Sequence, residues 1–413
     1  MSLNSETNEK GFAGRFVRRS RQLLGGLLFL GMLTFAACDQ YHPVALKTGA
    51  GDYHHYSEGG GLFVSATFGP DGRLWRIVPE KQHVYVDFST DLGKSFSPPA
   101  LVNKESQRIK ASGENRPGIA VDRSGRIFVA YAAEGDQPLV VYSSVSDNHG
   151  QSFSTPSPLS GKAPEANSYQ AKLALSPFGQ VHAFWHDERD RTDWRKLGNA
   201  IYYTTGAPGG FDSNARKLAD SLCDCCRIAA AFDPNDMPVV LTRFIYPGDI
   251  RDHGLIRMNK DSGEPSFRRV TYDQWHIEAC PEHGPAITIS DDRYHIAWFT
   301  QGTARQGLFY ANSSNRGEGF SEPMAFGNPD RLPGHPDISA RGNQVVLAWT
   351  EYDGVKTQLK IMQSDDGGQG WSAAQTIAEA VAETDFPFLL RSDQGIFVSW
   401  NCKAEGYRLI SLK

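Results

Sequence analysis

Hydrophobic positions recur along the chain in short runs that predict strands rather than helices. Apolar and aromatic residues stand together in runs such as 127–131 and 345–349, with turn residues on both sides. Runs of this kind are typical of strands, and no helical period competes with them. The first runs of successive units begin near Leu62, Gly118, Ala171, Arg227, Pro285, Pro336 and Phe386. We therefore predict a chain built from seven similar units.

A short polar turn recurs late in these units. Its clearest copies are 89–96 (STDLGKSF) and 364–371 (SDDGGQGW). Related copies occupy 146–153, 313–320, 259–267 and, in degraded form, 204–211. Asp or Asn binds the backbone two residues on, glycine adopts positive φ, and the last aromatic residue packs into a core. Recurrence roughly every 50–60 residues indicates stacked structural units.

The repeat predicts one all-β domain, a β-propeller of four-stranded blades, over residues 62–413. Seven blades are favoured, and six follow if the first or last unit is an extension. The last unit has only three strands, so residues 42–48 are predicted to complete it and close the ring. The polar turns and blade pattern resemble the Asp-boxes of the sialidase (neuraminidase) superfamily over almost all of this region.

The N-terminal segment has the pattern of an export signal. Arginines precede an apolar run over 23–37, which is too short to span a bilayer comfortably and ends at Cys38. This resembles a bacterial lipoprotein signal, with residues 1–37 removed and Cys38 lipidated; an uncleaved anchor and an ordinary signal peptide are the alternatives. Residues 38–61 would form the tether and closing strand. We expect a protein of the bacterial cell envelope, attached to the inner or outer membrane by lipid alone.

Charge and cysteine content narrow the function classes. The formal net charge is −5, which leaves no basic footprint and argues against nucleic acid as a partner. Six cysteines are present, and the five that follow Cys38 are an odd number. At least one of these five cysteines therefore has no intramolecular disulfide partner, and is either a free thiol or bound to another group.

The resemblance also implies a candidate enzyme. Sialidases bind a substrate carboxylate with three arginines and use a tyrosine as nucleophile, whereas most glycosidases use two carboxylates. Arg116 and Arg227 begin inner strands, and Tyr169 is the candidate nucleophile by position. Arg243 or Arg251, in or near the variable loop of the fourth unit, could supply a third cation. No carboxylate is assigned to Tyr169, and loop or rim roles for these residues are the alternative.

Two cysteine-containing loops, 221–227 (SLCDCCR) and 275–285 (WHIEACPEHGP), precede adjacent inner strands and should converge at the mouth of the channel. Cys402 is predicted in a loop on the same face. The candidate metal ligands are Cys223, Cys225, Cys226, Cys280 and His283. A thiolate-rich site would select copper or zinc. A structural disulfide through Cys280 and a redox-active thiol pair are the alternatives.

The leading functional prediction is binding at this mouth, of copper, zinc, or a polar small molecule or glycan. The loop over 185–195 carries mixed charges and two tryptophans, which suits a glycan. Trp194 is the better ligand candidate, because Trp185 is predicted to pack between blades. The alternatives are an exo-sialidase-like glycoside hydrolase and a scaffold that contacts other envelope proteins.

Overall fold

A computed structural model describes residues 61–134, 138–161, 166–191, 198–277, 279 and 281–412. These residues form strands, with one short 3₁₀ helix at Pro329–Arg331. Within these ranges, no helix is long and apolar enough to cross a membrane. Four features predicted from the sequence lie outside the described residues: Cys38, the closing strand at 42–48, Trp194 and Cys280.

The strands group into seven antiparallel blades, numbered here in chain order, and each blade has an inner strand at the centre of the ring. The inner strands are Ser65–Phe68, Gly118–Val121, Ser168–Leu175, Ala229–Phe232, Ala286–Ser290, Gly334–Arg341 and Phe388–Ser392. The second strands are Leu74–Pro79, Ile127–Glu134, Val181–Asp187, Pro238–Tyr246, Arg293–Gln301, Gln344–Tyr352 and Gly395–Cys402. All inner strands begin within three residues of their predicted starts.

The third and outer strands complete the blades. The third strands are Val84–Ser89, Val140–Ser146, Asn199–Ala207, Ile250–Met258, Gln306–Ser313, Thr357–Ser364 and Gly406–Ser411. The outer strands of blades 1 to 6 are Ala100–Leu101, Ser157–Pro158, Arg216–Leu222, Pro265–Arg269, Met324–Phe326 and Gln375–Ala380. Two short strands, Arg108–Ile109 and Gly210–Phe211, pair with the second strand of blade 2 and the third strand of blade 3. Within the described part of the chain, blade 7 has three strands, as the sequence predicts.

The ring closes between the first and last blades. Inner strands contact one another in chain order, and the inner strand of blade 7 contacts that of blade 1. Asp385, just before blade 7, accepts hydrogen bonds from the backbone N–H groups of Phe63 (2.6 Å) and Val64 (3.0 Å). The prediction of an all-β propeller is confirmed, and the described inner strands give seven blades.

The hydrophobic core lies between the blades, in separate clusters. One cluster joins apolar residues of blades 2 and 3, and another joins those of blades 5 and 6. A tryptophan occupies a matching position near the end of four second strands and is fully buried in each: Trp185, Trp298, Trp349 and Trp400. The prediction that Trp185 packs between blades is therefore confirmed.

The recurrent turns join third and outer strands, and in the clear copies the Asp or Asn side chain accepts backbone N–H groups three or four residues on, rather than two as the sequence predicts. In the first, Asp91 Oδ1 accepts the backbone N–H of Ser95 (2.9 Å), and Ser89 Oγ accepts that of Gly93 (2.8 Å). Hydrogen bonds from Ser95 and Ser89 lower the pKa of Asp91. The degraded copy is instead a hairpin in which Gly206 pairs with Phe211. These turns organise blade edges and contain no part of the channel lining.

Replacing Gly368 with alanine should destabilise the turn of blade 6. This glycine has φ +85°, and an added Cβ would lie 1.8 Å from the hydroxyl oxygen of Tyr310. Left-handed backbone strain and overpacking together predict a loss of roughly 2–4 kcal/mol, measured by urea unfolding. Gly354→Ala is the matched control, because its φ is +91° and nothing lies within 4 Å of the added atom. Equal losses in the two variants would show that the Tyr310 contact is unimportant.

Candidate functional site

The inner strands surround a central cavity of about 670 Å³, which residues from all seven blades line. Its charged lining residues are Glu114, Arg116, Lys172, Arg227, Asp337 and Arg391. Four cations therefore face two carboxylates in this cavity. The sequence predicts Arg116 and Arg227 at the start of inner strands, and the structure brings both residues into the lining of this cavity.

Glu114 is the organising carboxylate of the site, and the sequence analysis missed it. Its Oε1 accepts Arg227 Nη1 (2.7 Å), and its Oε2 accepts the backbone N–H groups of Arg227 (2.8 Å) and Gly284 (2.9 Å). Burial alone would raise the pKa of Glu114, but Arg227, His335 and backbone donors outweigh it and hold the pKa at about 2. The only sequence signal was a carboxylate two residues before Arg116.

Both predicted arginines are held by the protein itself. Arg116 donates to the carbonyl oxygens of Val64 (3.3 Å) and Phe386 (2.9 Å). Arg227 pairs with Glu114 and donates its Nη2 to the carbonyl of Pro336 (2.9 Å). Arg116 Nε is the exception, since it has no hydrogen-bond partner among the described residues. These guanidinium groups therefore mainly stabilise the channel, and they have few unused N–H donors for a ligand.

Lys172 differs from the arginines, although it lines the same cavity. Among the described residues its ammonium group forms no hydrogen bond and no ion pair, and it lies 5.9 Å from the ring centre of Phe388. Burial lowers the pKa of Lys172, and the Asp337 carboxylate opposes this effect. Next to it in the lining, Gln170 Oε1 also lacks a partner within the described ranges. The sequence analysis missed Lys172, because whether its side chain lines the cavity depends on which face of the strand points into the channel.

His283 belongs to a stack of four rings beside the cavity. Its ring centre lies 4.1 Å from that of Phe299 and 4.3 Å from that of His335, which in turn lies 3.3 Å from Phe386. Burial lowers the pKa of both histidines, so both are neutral at pH 7. The group of described ligand atoms around the cysteines does not include His283. The ring stack explains why this predicted ligand is held apart from them.

The cysteine turn brings three predicted ligands together. The Sγ atoms of Cys223, Cys225 and Cys226 all lie within 4.8 Å of one another, and Cys223 Sγ is 3.8 Å from each of the others. The fourth predicted sulfur, Cys280, lies outside the described residues. The prediction of Cys402 in a mouth loop is wrong: it ends the second strand of blade 7 and is fully buried in an apolar cluster with Trp400.

Two arginines support the cysteine turn. Arg251 Nη1 donates to Cys223 Sγ (3.5 Å), while the backbone N–H of Cys223 donates to the carbonyl of Arg243 (2.8 Å). Hydrogen bonds from Cys225 and Cys226, with Arg243 and Arg251 nearby, place the pKa of Cys223 well below its usual value. Burial raises the pKa of Cys226 to about 12.

The prediction that Arg243 and Arg251 lie in or near the variable loop of the fourth unit holds only in part, because both are buried strand residues of blade 4, one on each side of the turn at 247–249. Arg243 is fully buried, and its guanidinium donates to the carbonyl oxygens of Arg251 (2.8 Å), His283 (3.0 Å) and Phe299 (2.8 Å). Neither residue lines the central cavity. The structure therefore does not add them to Arg116 and Arg227 as a third carboxylate-binding arginine.

Tyr169 lies in a separate polar network. Its hydroxyl accepts Asn199 Nδ2 (2.6 Å) and lies 3.5 Å from Glu188 Oε1, and its ring stacks on His186 at 5.7 Å. Glu188 is thus the neighbouring carboxylate that the sequence could not assign. Burial, with the Asp224 and Glu188 carboxylates, raises the pKa of Tyr169, which disfavours a phenolate nucleophile. Tyr169 does not line the cavity that holds Arg116 and Arg227.

Solved structures share this arrangement of blades. A PL25 polysaccharide lyase, an ulvan lyase bound to -[GlcA(1-4)Rha3S]-, aligns at a TM-score of 0.54 and 13% identity over 86% of this chain and 93% of that one. The fold is a β-propeller. Propellers at lower scores include the Hadza microbial sialidase Hz136 (TM-score 0.49, 10% identity, 81% and 74% covered). Another is an α-L-arabinanase of Penicillium chrysogenum complexed with arabinobiose (TM-score 0.46, 11% identity, over 75% of this chain and 94% of that one). No family model and no curated protein matches the chain.

Proposed function

We propose that this propeller binds an acidic glycan in its central cavity, with Lys172 as the principal contact to a carboxylate or sulfate group. The observation that carries the proposal is the position of Lys172, a cation lining the cavity without a hydrogen-bonding or ion-pairing partner in the described part of the chain. A desolvated charge is costly unless it is paired. An anionic ligand would supply the missing partner.

The rest of the cavity suits such a ligand. Its volume of about 670 Å³ falls in the usual range for small-molecule sites. The cationic excess favours an anion, and the Phe388 ring provides an apolar surface for the face of a sugar. Arg116 and Arg227 would then act mainly as fixed positive charges, because protein oxygens already occupy their donors.

The comparison with the ulvan lyase supports the ligand class, because the saccharide bound to that propeller contains acidic sugars. Sialidase-like hydrolysis is less well supported. It requires Tyr169 as nucleophile, and this residue lies outside the cavity lining with a raised pKa. Binding is therefore the function that the geometry favours, with or without a reaction on the bound glycan.

Replacing Lys172 with methionine should weaken the binding of a glucuronate-containing tetrasaccharide by roughly tenfold or more, as expected for one lost hydrogen bond to a charged group. Methionine keeps much of the side-chain volume but removes the charge. Isothermal titration calorimetry would measure the dissociation constants. The carboxyl-reduced tetrasaccharide, which is neutral, should bind both proteins equally weakly.

Lys94→Met is the control variant, since Lys94 is an exposed residue of the blade 1 turn and does not line the cavity. It should bind the acidic tetrasaccharide as the unmodified protein does. The proposal fails if Lys172→Met binds normally, or if the neutral and acidic saccharides bind the unmodified protein with equal affinity. Analysis of the recovered saccharide would show whether the protein also cleaves it.

A further inference from the structure

The three sulfurs of the cysteine turn have the spacing of ligands around one metal ion. Two of the Sγ pairs are 3.8 Å apart, and the third is no wider than 4.8 Å. Thiolates about 2.3 Å from a tetrahedral zinc ion lie about 3.8 Å from one another. Sulfurs joined in a disulfide would be only about 2.05 Å apart. The arrangement therefore matches shared coordination better than a disulfide within the turn.

The protein holds both ends of this turn in place. The backbone N–H of Cys223 donates to the carbonyl of Arg243 (2.8 Å), which lies in the second strand of blade 4. The carbonyl of Cys226 lies 3.1 Å from His186 Nε2, in the second strand of blade 3. The next residue, Arg227, is fixed by Glu114. Anchoring at both ends orients the sulfurs before any ligand arrives, which is how surrounding contacts support a metal site.

Charge and access also fit a bound cation. Three thiolates carry more negative charge than one monovalent or divalent ion neutralises, and the Arg251 guanidinium, 3.5 Å from Cys223 Sγ, offsets the excess. Cys223 and Cys226 are buried, whereas Cys225 is only half-buried. The half-buried position gives an ion a route to the other two sulfurs from solvent.

We propose that Cys223, Cys225 and Cys226 bind one thiophilic cation, Cu(I) or Zn(II), at a site separate from the glycan cavity. Soft thiolate ligands select these ions over Mg²⁺ or Ca²⁺, which prefer oxygen. None of the three cysteines lines the central cavity. The two sites therefore use different ligand-binding side chains, and either proposal can fail without the other.

The test uses the full chain, kept reduced and free of oxygen, and loaded separately with Cu(I) or Zn(II) salts. After removal of loosely bound ions, elemental analysis should find about one equivalent of metal, and X-ray absorption should find three sulfurs at about 2.3 Å. Cys225→Ser should lower the affinity on the order of 100-fold in a chelator competition. The same competition would show which of the two ions binds more tightly.

Cys402→Ala is the matched control, because Cys402 is a buried thiol far from the turn in sequence and packs in the apolar cluster between blades 6 and 7. It should retain the full equivalent of metal. Melting temperature separates binding from folding: metal should raise it in the unmodified protein and in Cys402→Ala, but not in Cys225→Ser. The proposal is overturned if no metal is retained, if Cys225→Ser retains it, or if mass spectrometry of unreduced protein finds the three cysteines in disulfides.

Discussion

Replacing Glu114 with glutamine is expected to lower the free energy of unfolding by about 3–5 kcal/mol at neutral pH, as for other buried pairs that lose one partner. The carboxylate is buried and accepts one side-chain and two backbone hydrogen bonds, and its removal leaves the Arg227 guanidinium as an unneutralised buried charge. Urea unfolding of the two proteins would measure the loss. Glu383→Gln is a suitable control, because its pair with Lys403 lies at the surface and should contribute less than about 1 kcal/mol.

The stability that Glu114→Gln loses should depend on pH, and the pKa of Glu114 gives the direction of that dependence. The pKa of Glu114 is about 2 in the folded protein and 4.5 for an ordinary glutamate. A depressed pKa contributes stability that is present above pH 4.5 and is lost as the pH falls toward 2. The stability difference between the unmodified protein and the glutamine variant should therefore shrink across this interval.

Buried Asp337 and Asp385 have raised pKa values and act in the opposite direction, so total stability against pH does not isolate Glu114. Their contributions cancel in the difference between the two proteins, because both retain these residues. A stability difference that stays constant through the interval would mean that folding does not depress the pKa of Glu114.

Trp349→Ala should be comparably damaging, with a loss of about 3–5 kcal/mol. The side chain is completely buried between blades 5 and 6, stacks edge-on against Phe326 at 5.1 Å, and donates its Nε1 to Glu351 Oε1 (3.0 Å). Alanine would leave a cavity in a cluster that the two blades share. Thermal and urea unfolding should both report the loss.

Phe178→Ala provides the comparison for Trp349, because the Phe178 side chain is 68% exposed and should change stability by less than about 0.5 kcal/mol. Trp349→Phe should fall between the two, since it keeps an aromatic ring but loses the hydrogen bond to Glu351. If Trp349→Ala unfolds like the unmodified protein, the shared core between blades is not what stabilises the ring.

The sequence correctly predicted those parts of the structure that depend on interactions between residues close together in the chain. The inner strands begin within three residues of the predicted positions because alternation and turn residues act over a few neighbours. The convergence of Cys223, Cys225 and Cys226 is equally local, since one tight turn produces it. The burial of Trp185 followed from its place in the repeat.

The features that sequence reasoning missed depend on ring closure. Glu114 and Arg227 are 113 residues apart and meet only because their blades share one channel. Lys172 could be recognised as unpaired only after every neighbouring strand was in place. Arg243 was predicted in or near a loop because the sequence does not show where paired strands end, and strand length depends on pairing across the blade.

The ion pair at the channel mouth bears on how the ring comes apart. In a structure of repeated units, most contacts join neighbours, so units can be lost one at a time. Here Glu114, before the inner strand of blade 2, binds Arg227, before that of blade 4, and Arg227 donates to the carbonyl of Pro336, within the inner strand of blade 6. These bonds cross the channel and join blades that are not neighbours in the ring. Detaching blade 4 would break them, so unfolding should be a single cooperative transition rather than a blade-by-blade sequence.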